Sequence, residues 1–241
     1  MKVTFSGSIP KDLNFPEENE DYWATSACGN RIALCDGASE SYSSKLWSRM
    51  IAESFIKIKR LDFPWIQALS LDYSKCYDFN AMSWSQQAAY ERGSFSTLLG
   101  VDYKPKSTNL KITAIGDSVA LLFDEGKLVA SWPFTEPEQF LGRPTLLSTR
   151  ISLNDFIKSK DCIKNNSKTV RISDLSTPTL ICLTDAIGEW ALRMLVTNNE
   201  KALALHEIET LEAFEHLVVT ERAAGTMKID DSTMIRFALK G

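Results

Sequence analysis

The sequence predicts an α+β chain in which helices cover antiparallel sheets, and two observations lead there. Ser96–Val101, Leu110–Ile115, Val119–Phe123 and Leu128–Ser131 are short, β-branched or aromatic runs separated by turn residues such as Asp124-Glu125-Gly126. They follow one another too closely for crossover helices, so antiparallel meanders are expected. The helical patterns are bunched on either side of these runs instead of alternating with them, which separates an α+β layout from a βαβ one. With 44% hydrophobic and 24% charged residues, the 241-residue chain has ample material for a core.

In chain order, Val3–Ser6 reads as a first strand. Tyr22–Cys28 and Arg31–Cys35 read as a hairpin across Gly29-Asn30, residue types that accept positive φ. Tyr42–Ile58 carries Leu46, Met50, Ile51, Phe55 and Ile58 at helical spacing behind a serine-rich start suited to capping. A second helical region runs through Trp65–Ala89, broken around Asp78–Asn80, and stops near Gly93. Residues 133–173 are weakly periodic and proline-containing, the pattern of a loop or small flap. Thr179–Leu183 (TLICL) is a buried strand, Ile187–Val196 and Lys201–Val218 are helical, and Ser232–Leu239 closes the chain as a strand. No internal repeat or low-complexity linker divides it, so residues 1–241 are expected to form one domain. The six tryptophans, Trp23, Trp47, Trp65, Trp84, Trp132 and Trp190, are expected in the core.

Composition excludes several function classes. A net charge of −4, from 27 basic and 31 acidic residues, makes nucleic acid a poor first guess for a partner, since a backbone binder needs a basic face. No eighteen apolar residues run uninterrupted, so no membrane span is expected, and MKVTFSGSIPK lacks the apolar stretch of a secretory leader. The five cysteines show no CxxC spacing, and three sit in apolar strand-like runs as small hydrophobes, which suits a reducing cytoplasm. His206 and His216 lie together in a helix-like stretch, which rules against a histidine-rich zinc site. Neither a G-x-S-x-G elbow nor a P-loop is present.

What stands out is the placement of carboxylates where strands meet turns. Asn19-Glu20-Asp21 precedes the hairpin, Asp36-Gly37 follows RIALC, and Gly116-Asp117-Ser118 separates two strands. Asp185 follows LICLT, and Asp230-Asp231 leads into STMIRF. Acidic groups at strand mouths can converge in space although distant in sequence. Hard divalent cations take oxygen ligands of this kind, and the glycine after Asp36 lets a backbone carbonyl approach an ion closely. Each Asp-Gly pair on its own is a common turn; their joint order carries the argument.

That order resembles the PP2C (PPM) family of metal-dependent serine/threonine protein phosphatases, in the form of a compact bacterial-type member. NEDYWA is similar to the family's opening E-D motif, ALCDGASES to its strand with Asp-Gly, and GSFSTLLGV to its G-S-T strand. ITAIGDSVALLF resembles the strand–GDS–strand motif, LICLTDAIGEWAL the S-D-G-x-x-(D/E) element, and DDSTMIRF the closing strand. The resemblance implies a four-layer α-β-β-α sandwich, with two mainly antiparallel sheets flanked by helices. It implies two Mg²⁺ or Mn²⁺ ions: Asp36 bridging both, the Gly37 carbonyl on one, Asp185 and Asp230 completing the other. Asp230 aligns with the ligand, and not Asp231, because Thr233 then falls on the motif's small hydroxyl position. Glu20 and Asp21 would bind metal or orient its waters, and Asp117 would join Asp185 around a third ion.

The chemistry so implied is attack of a metal-activated water on a phosphomonoester of a phosphorylated protein, opposing a serine/threonine kinase. Two divalent ions about 3.5–4 Å apart lower the pKa of a shared water and set it in line with the leaving oxygen. The sequence departs from the pattern at three places. Pro16 stands near the family's phosphate-gripping arginine, for which Lys11 or a distant arginine would have to substitute, and a lysine lacks the bidentate fork. Ala38 stands where some members have a proton-donating histidine, and Ala186 replaces a glycine. Glu189 keeps a carboxylate near the position where one is usual. Trp132-Pro133-Phe134 opens the segment where the family carries its flap. Pro16 and Ala186 support an alternative, a pseudophosphatase acting as a binding or regulatory module; the retained Asp36, Asp185 and Asp230 oppose it, because clustered carboxylates are costly without cations.

Overall fold

A computed structural model describes residues 1–58, 60–159, 161–197 and 199–239. Its strands are β1 Lys2–Ile9, β2 Tyr22–Thr25, β3 Arg31–Cys35, β4 Phe95–Ser96, β5 Leu98–Lys104, β6 Asn109–Ile115, β7 Val119–Asp124, β8 Lys127–Trp132, β9 Leu147–Ser148, β10 Ser167–Arg171, β11 Thr179–Leu183 and β12 Ser232–Ala238. The helices are α1 Ser44–Phe55, α2 Phe63–Ser74, α3 Trp84–Arg92, α4 Cys162–Asn165, α5 Asp185–Thr197, α6 Asn199–Leu203 and α7 Leu211–Ala223.

Two five-stranded sheets form, in the orders β1-β12-β11-β7-β8 and β10-β6-β5-β3-β2, with every pairing antiparallel. Strand sequences explain how they stack. In VALLF, Ala120 and Leu122 face the other sheet beside Leu34, Leu99, Ile112, Cys182 and Ile235, while Leu121 and Phe123 face outward to Trp190 and Phe214. A strand covered on both faces must be apolar throughout, and this one is. On the opposite side, Ala33, Cys35, Leu98 and Ile115 pack under Trp47, Ile51 and Phe55 of α1 and Ile66 and Tyr73 of α2. The layers are therefore α5/α7, first sheet, second sheet, α1/α2, the expected sandwich.

The differences from expectation have local causes. Ser43 does not cap α1: it sits at φ +50° with no cap bond, and its hydroxyl accepts from the Tyr77 hydroxyl at 2.7 Å. In the hairpin only Gly29 takes positive φ, within a connection spanning residues 26–30. Thr97 interrupts the expected strand from Ser96 to Val101, separating β4 from β5. The segment 133–173, in which Lys160 lies outside the described residues, is not all loop. It holds β9, two 3₁₀ turns, α4 and β10, whose Ser167–Arg171 pairs with Asn109–Thr113 at the edge of the second sheet. SKTVR offers one apolar residue, and an edge strand needs little more, so the pattern hides it. Trp84 is 83% exposed in the first turn of α3, against the core expectation, whereas Trp47 and Trp190 are fully buried. Among the described residues no helix is long and apolar enough to cross a membrane.

Candidate metal centre

Asp36 leaves β3, Asp117 follows the β6 end, Asp185 opens α5 directly after β11, and Asp230 precedes β12. Two of these strands belong to each sheet, and their ends meet at one rim. Asp36, Gly37, Asp117, Asp185 and Asp230 line a single cavity of about 330 Å³ together with Lys228. A larger cavity of about 620 Å³ lies between Arg31, Phe55, Asp62 and Lys158 and contains none of these residues. We place the site in the smaller one, where carboxylates from four separate elements converge.

Each carboxylate is held by its surroundings. The Thr97 hydroxyl accepts the Asp36 N–H at 2.9 Å and lies 2.9 Å from the Ser118 hydroxyl, so the end of β3, the break between β4 and β5, and the 116–118 turn are tied together behind Asp36. Gly37 is packed so closely that a Cβ there would stand 3.0 Å from Ser44 and from the Glu20 carbonyl oxygen. Gly116 takes φ +105°, which turns the chain between β6 and β7 and carries Asp117 to the cavity. Asp185 accepts the Ala186 N–H at 2.7 Å on one oxygen and lies 2.9 Å from Lys228 Nζ with the other. Asp230 lies 2.8 Å from the same ammonium.

Asp231 does something different. It is 4% exposed and accepts the backbone N–H groups of Lys11 at 2.7 Å and Glu20 at 2.8 Å, fastening the 11–20 loop to the first sheet. Asp21 does not line the cavity. One of its oxygens accepts from the Thr233 hydroxyl at 2.6 Å and the Thr184 hydroxyl at 3.1 Å, while the other is buried without a partner. Glu20 is committed to the Ser44 hydroxyl and to Lys11 Nζ at 3.2 Å. Lys11 also donates to the Ser39 hydroxyl at 2.9 Å, which puts its ammonium at the cavity mouth, since Ser39 is a lining residue. Glu189 is paired with Arg193 at 2.9 Å and faces a neighbouring cavity. Ala186 is buried and its N–H donates to Asp185; the tight approach is at Gly188, where a Cβ would meet Val119 at 2.6 Å. Sequence reasoning missed Lys228, a lone lysine in a turn with no pattern around it, and also missed Thr97 and Thr184.

The electrostatics follow from burial and crowding. Burial, and then the negative charges of Asp21, Asp185, Asp117 and Asp230, push the Asp36 carboxyl well above the usual carboxylate range. Burial and Asp185 push Asp117 up to about 6. Asp21 is likewise raised, by burial first and by Asp231 and Asp185 after it, against the two threonine hydrogen bonds. Lys228 is raised by Asp185 and Asp230 although burial works against its charge.

These donors suit a hard divalent cation: all are oxygens, they repel one another, and an orphaned carboxylate oxygen of Asp21 stands behind them. Among the described residues no three acidic, histidine or cysteine side chains are arranged to hold an ion as they stand. Lys228 joins Asp185 to Asp230 instead.

Solved structures with this arrangement of layers exist. A bacterial serine phosphatase matches with a TM-score of 0.59 at 16% identity, covering 99% of this chain and 98% of that one. Stp1, a serine/threonine phosphatase from Staphylococcus aureus, matches at 0.58 with 14% identity, covering 100% and 96%. The catalytic domain of the serine/threonine phosphatase PstP, in complex with two manganese ions, matches at 0.58 with 12% identity, covering 99% of each. At such identities the likeness establishes the fold, and that fold is the PP2C-like α-β-β-α sandwich. No family model and no curated protein sequence matches the chain.

Proposed function

We propose that this chain is a PP2C-type metal-dependent protein phosphatase that hydrolyses phosphoserine and phosphothreonine in proteins, within the cytoplasm and opposite a serine/threonine kinase. The observation that carries the reading is the meeting of Asp36, Asp117, Asp185 and Asp230, drawn from four elements, in one cavity. Six motif-like segments in the family's order, and the fold shared with PstP and Stp1, support it further.

Asp36, the Gly37 carbonyl, Asp185 and Asp230 would hold two Mg²⁺ or Mn²⁺ ions, with Asp117 and Asp185 offering ligands to a third. Bound there, such ions would supply an activated water and neutralise charge on the phosphoryl group. The remaining work falls to the chain itself. Thr97 fixes Asp36, and Thr184 and Thr233 fix Asp21 beside the ends of β11 and β12. Asp231 sets the loop that brings Lys11 to the mouth, where its ammonium is the candidate to steer a phosphate inward in place of the arginine absent at Pro16. With Ala38 in place of a histidine, the leaving alkoxide takes its proton from water. The domain would span residues 1–241, and within 133–173 the part ahead of β9 is the candidate flap.

The test is hydrolysis of p-nitrophenyl phosphate and a phosphothreonine peptide with Mn²⁺, with EDTA, and by Asp36→Asn. Turnover that needs Mn²⁺ and falls at least ~100-fold in the variant is expected, the scale of losing a transition-state interaction. Mn²⁺ binding without turnover would instead point to a pseudophosphatase.

A further inference from the structure

Lys228 is the one basic residue among the described residues lining the acidic cavity, and its placement is constrained from both sides. Ahead of it, the Thr226 hydroxyl donates to Glu221 at 2.6 Å, the Met227 N–H donates to the Glu221 carbonyl at 3.1 Å, and the Met227 side chain is buried in the core under α5 and α7. Behind it, Arg222 bonds the Asp230 carbonyl and, at 2.8 Å, the Pro10 carbonyl. The connection from α7 to β12 thus presents its lysine to the rim by construction. The ammonium stands 2.9 Å from Asp185 Oδ2 and 2.8 Å from Asp230 Oδ2, bridging two carboxylates that the proposed function assigns to one ion.

We infer that Lys228 is a tethered counter-cation, which holds the position between Asp185 and Asp230 and must be displaced for a divalent ion to load there. The inference rests on the ion-binding reading of the cavity. Its physical basis is competition. A monovalent ammonium quiets the repulsion between the two carboxylates, yet its side chain is 60% exposed, and ion pairs that open to solvent hold weakly. A divalent cation with direct oxygen coordination can therefore displace it, at a reduced apparent affinity. Lys228 is in this sense a positioning residue: it acts on Asp185 and Asp230 and raises the ion concentration needed to fill the site.

The experiment is calorimetric titration of Mn²⁺ into the metal-free full chain and into K228M and K228R, with no substrate present. K228M should bind Mn²⁺ roughly tenfold more tightly, which is about 1.4 kcal/mol. K228R keeps the charge and should bind like the parent chain, which a purely structural role for the side chain would not predict. Equal or weaker binding by K228M, with Mn²⁺ still bound by the parent, overturns the inference and leaves the ion site standing. Mn²⁺ bound by none of the three proteins overturns the ion site and the inference with it.

Discussion

Asp230 and Asp231 are adjacent in the chain and opposite in duty. Asp230 faces the cavity, whereas Asp231 closes two backbone donors out of solvent. Asp231→Ala leaves both N–H groups unpaired and should lower stability by about 2–4 kcal/mol in urea unfolding. Asp230→Asn should leave the urea midpoint of metal-free protein nearly unchanged and weaken binding of the Mn²⁺ ion that Asp230 shares with Asp185. Acidity gives a second prediction. A carboxyl whose pKa rises on folding keeps its proton where the unfolded chain has lost it, so its stabilisation is full below the unfolded value and is lost as pH climbs through the folded one. Asp117, raised from 3.8 to about 6, should thus make EDTA-treated protein weaken between pH 4 and 7 by on the order of 2–3 kcal/mol, Asp36 and Asp21 adding in the same direction. Asp117→Asn should flatten that slope in denaturant melts. The acidic residues at strand ends were legible because a strand pattern followed by Asp-Gly or Gly-Asp-Ser marks a position in space as well as in sequence. The partners of Asp21 were not, because Thr184 and Thr233, which hold its carboxylate, lie more than a hundred residues away in the chain.

The turn between β6 and β7 is the element on which Asp36 and Asp117 both depend. At Gly116, φ is +105° and an added Cβ would stand 2.6 Å from Thr97 Cγ2, so Gly116→Ala combines backbone strain with a clash against the residue that holds Asp36. We expect a loss of roughly 2–4 kcal/mol, with weakened Mn²⁺ affinity in titration. Gly126→Ala is the control: φ there is +73° but nothing lies within 4 Å, so about 1 kcal/mol and unchanged affinity are expected. Elements that are unbroken apolar runs bounded by turn residues, such as the covered strands VALLF and TLICL, could be read from the sequence. SKTVR could not, since an edge strand shows polar residues to solvent. The Ser43 start of α1 also escaped, because Tyr77 decides what the serine hydroxyl does.

On the scale of the whole molecule, the sandwich brings β3 and β6 from one sheet and β11 and β12 from the other to a common rim. Folding thereby gathers like charges, and ion binding offsets that repulsion. Mn²⁺ at a hundredfold excess over its dissociation constant should add about 2.7 kcal/mol and raise the melting temperature by roughly 5–10 °C, reversibly with EDTA. An unchanged melting curve would speak against ion loading. The order of strands within each sheet was beyond the reach of local patterns, since each sheet joins strands from distant stretches, as β1 and β12 do across the length of the chain. The resemblance in motif order gave the four-layer sandwich, while the strand orders within its sheets came from the structure.

The most direct measurement is anomalous diffraction from crystals soaked in MnCl₂, recorded at the manganese edge. Peaks are expected within coordination distance of Asp36, Asp185 and Asp230, with Lys228 Nζ moved off the two carboxylates it now bridges. Manganese bound elsewhere, or no peak at this rim in a fully soaked crystal, would contradict the proposed ion site.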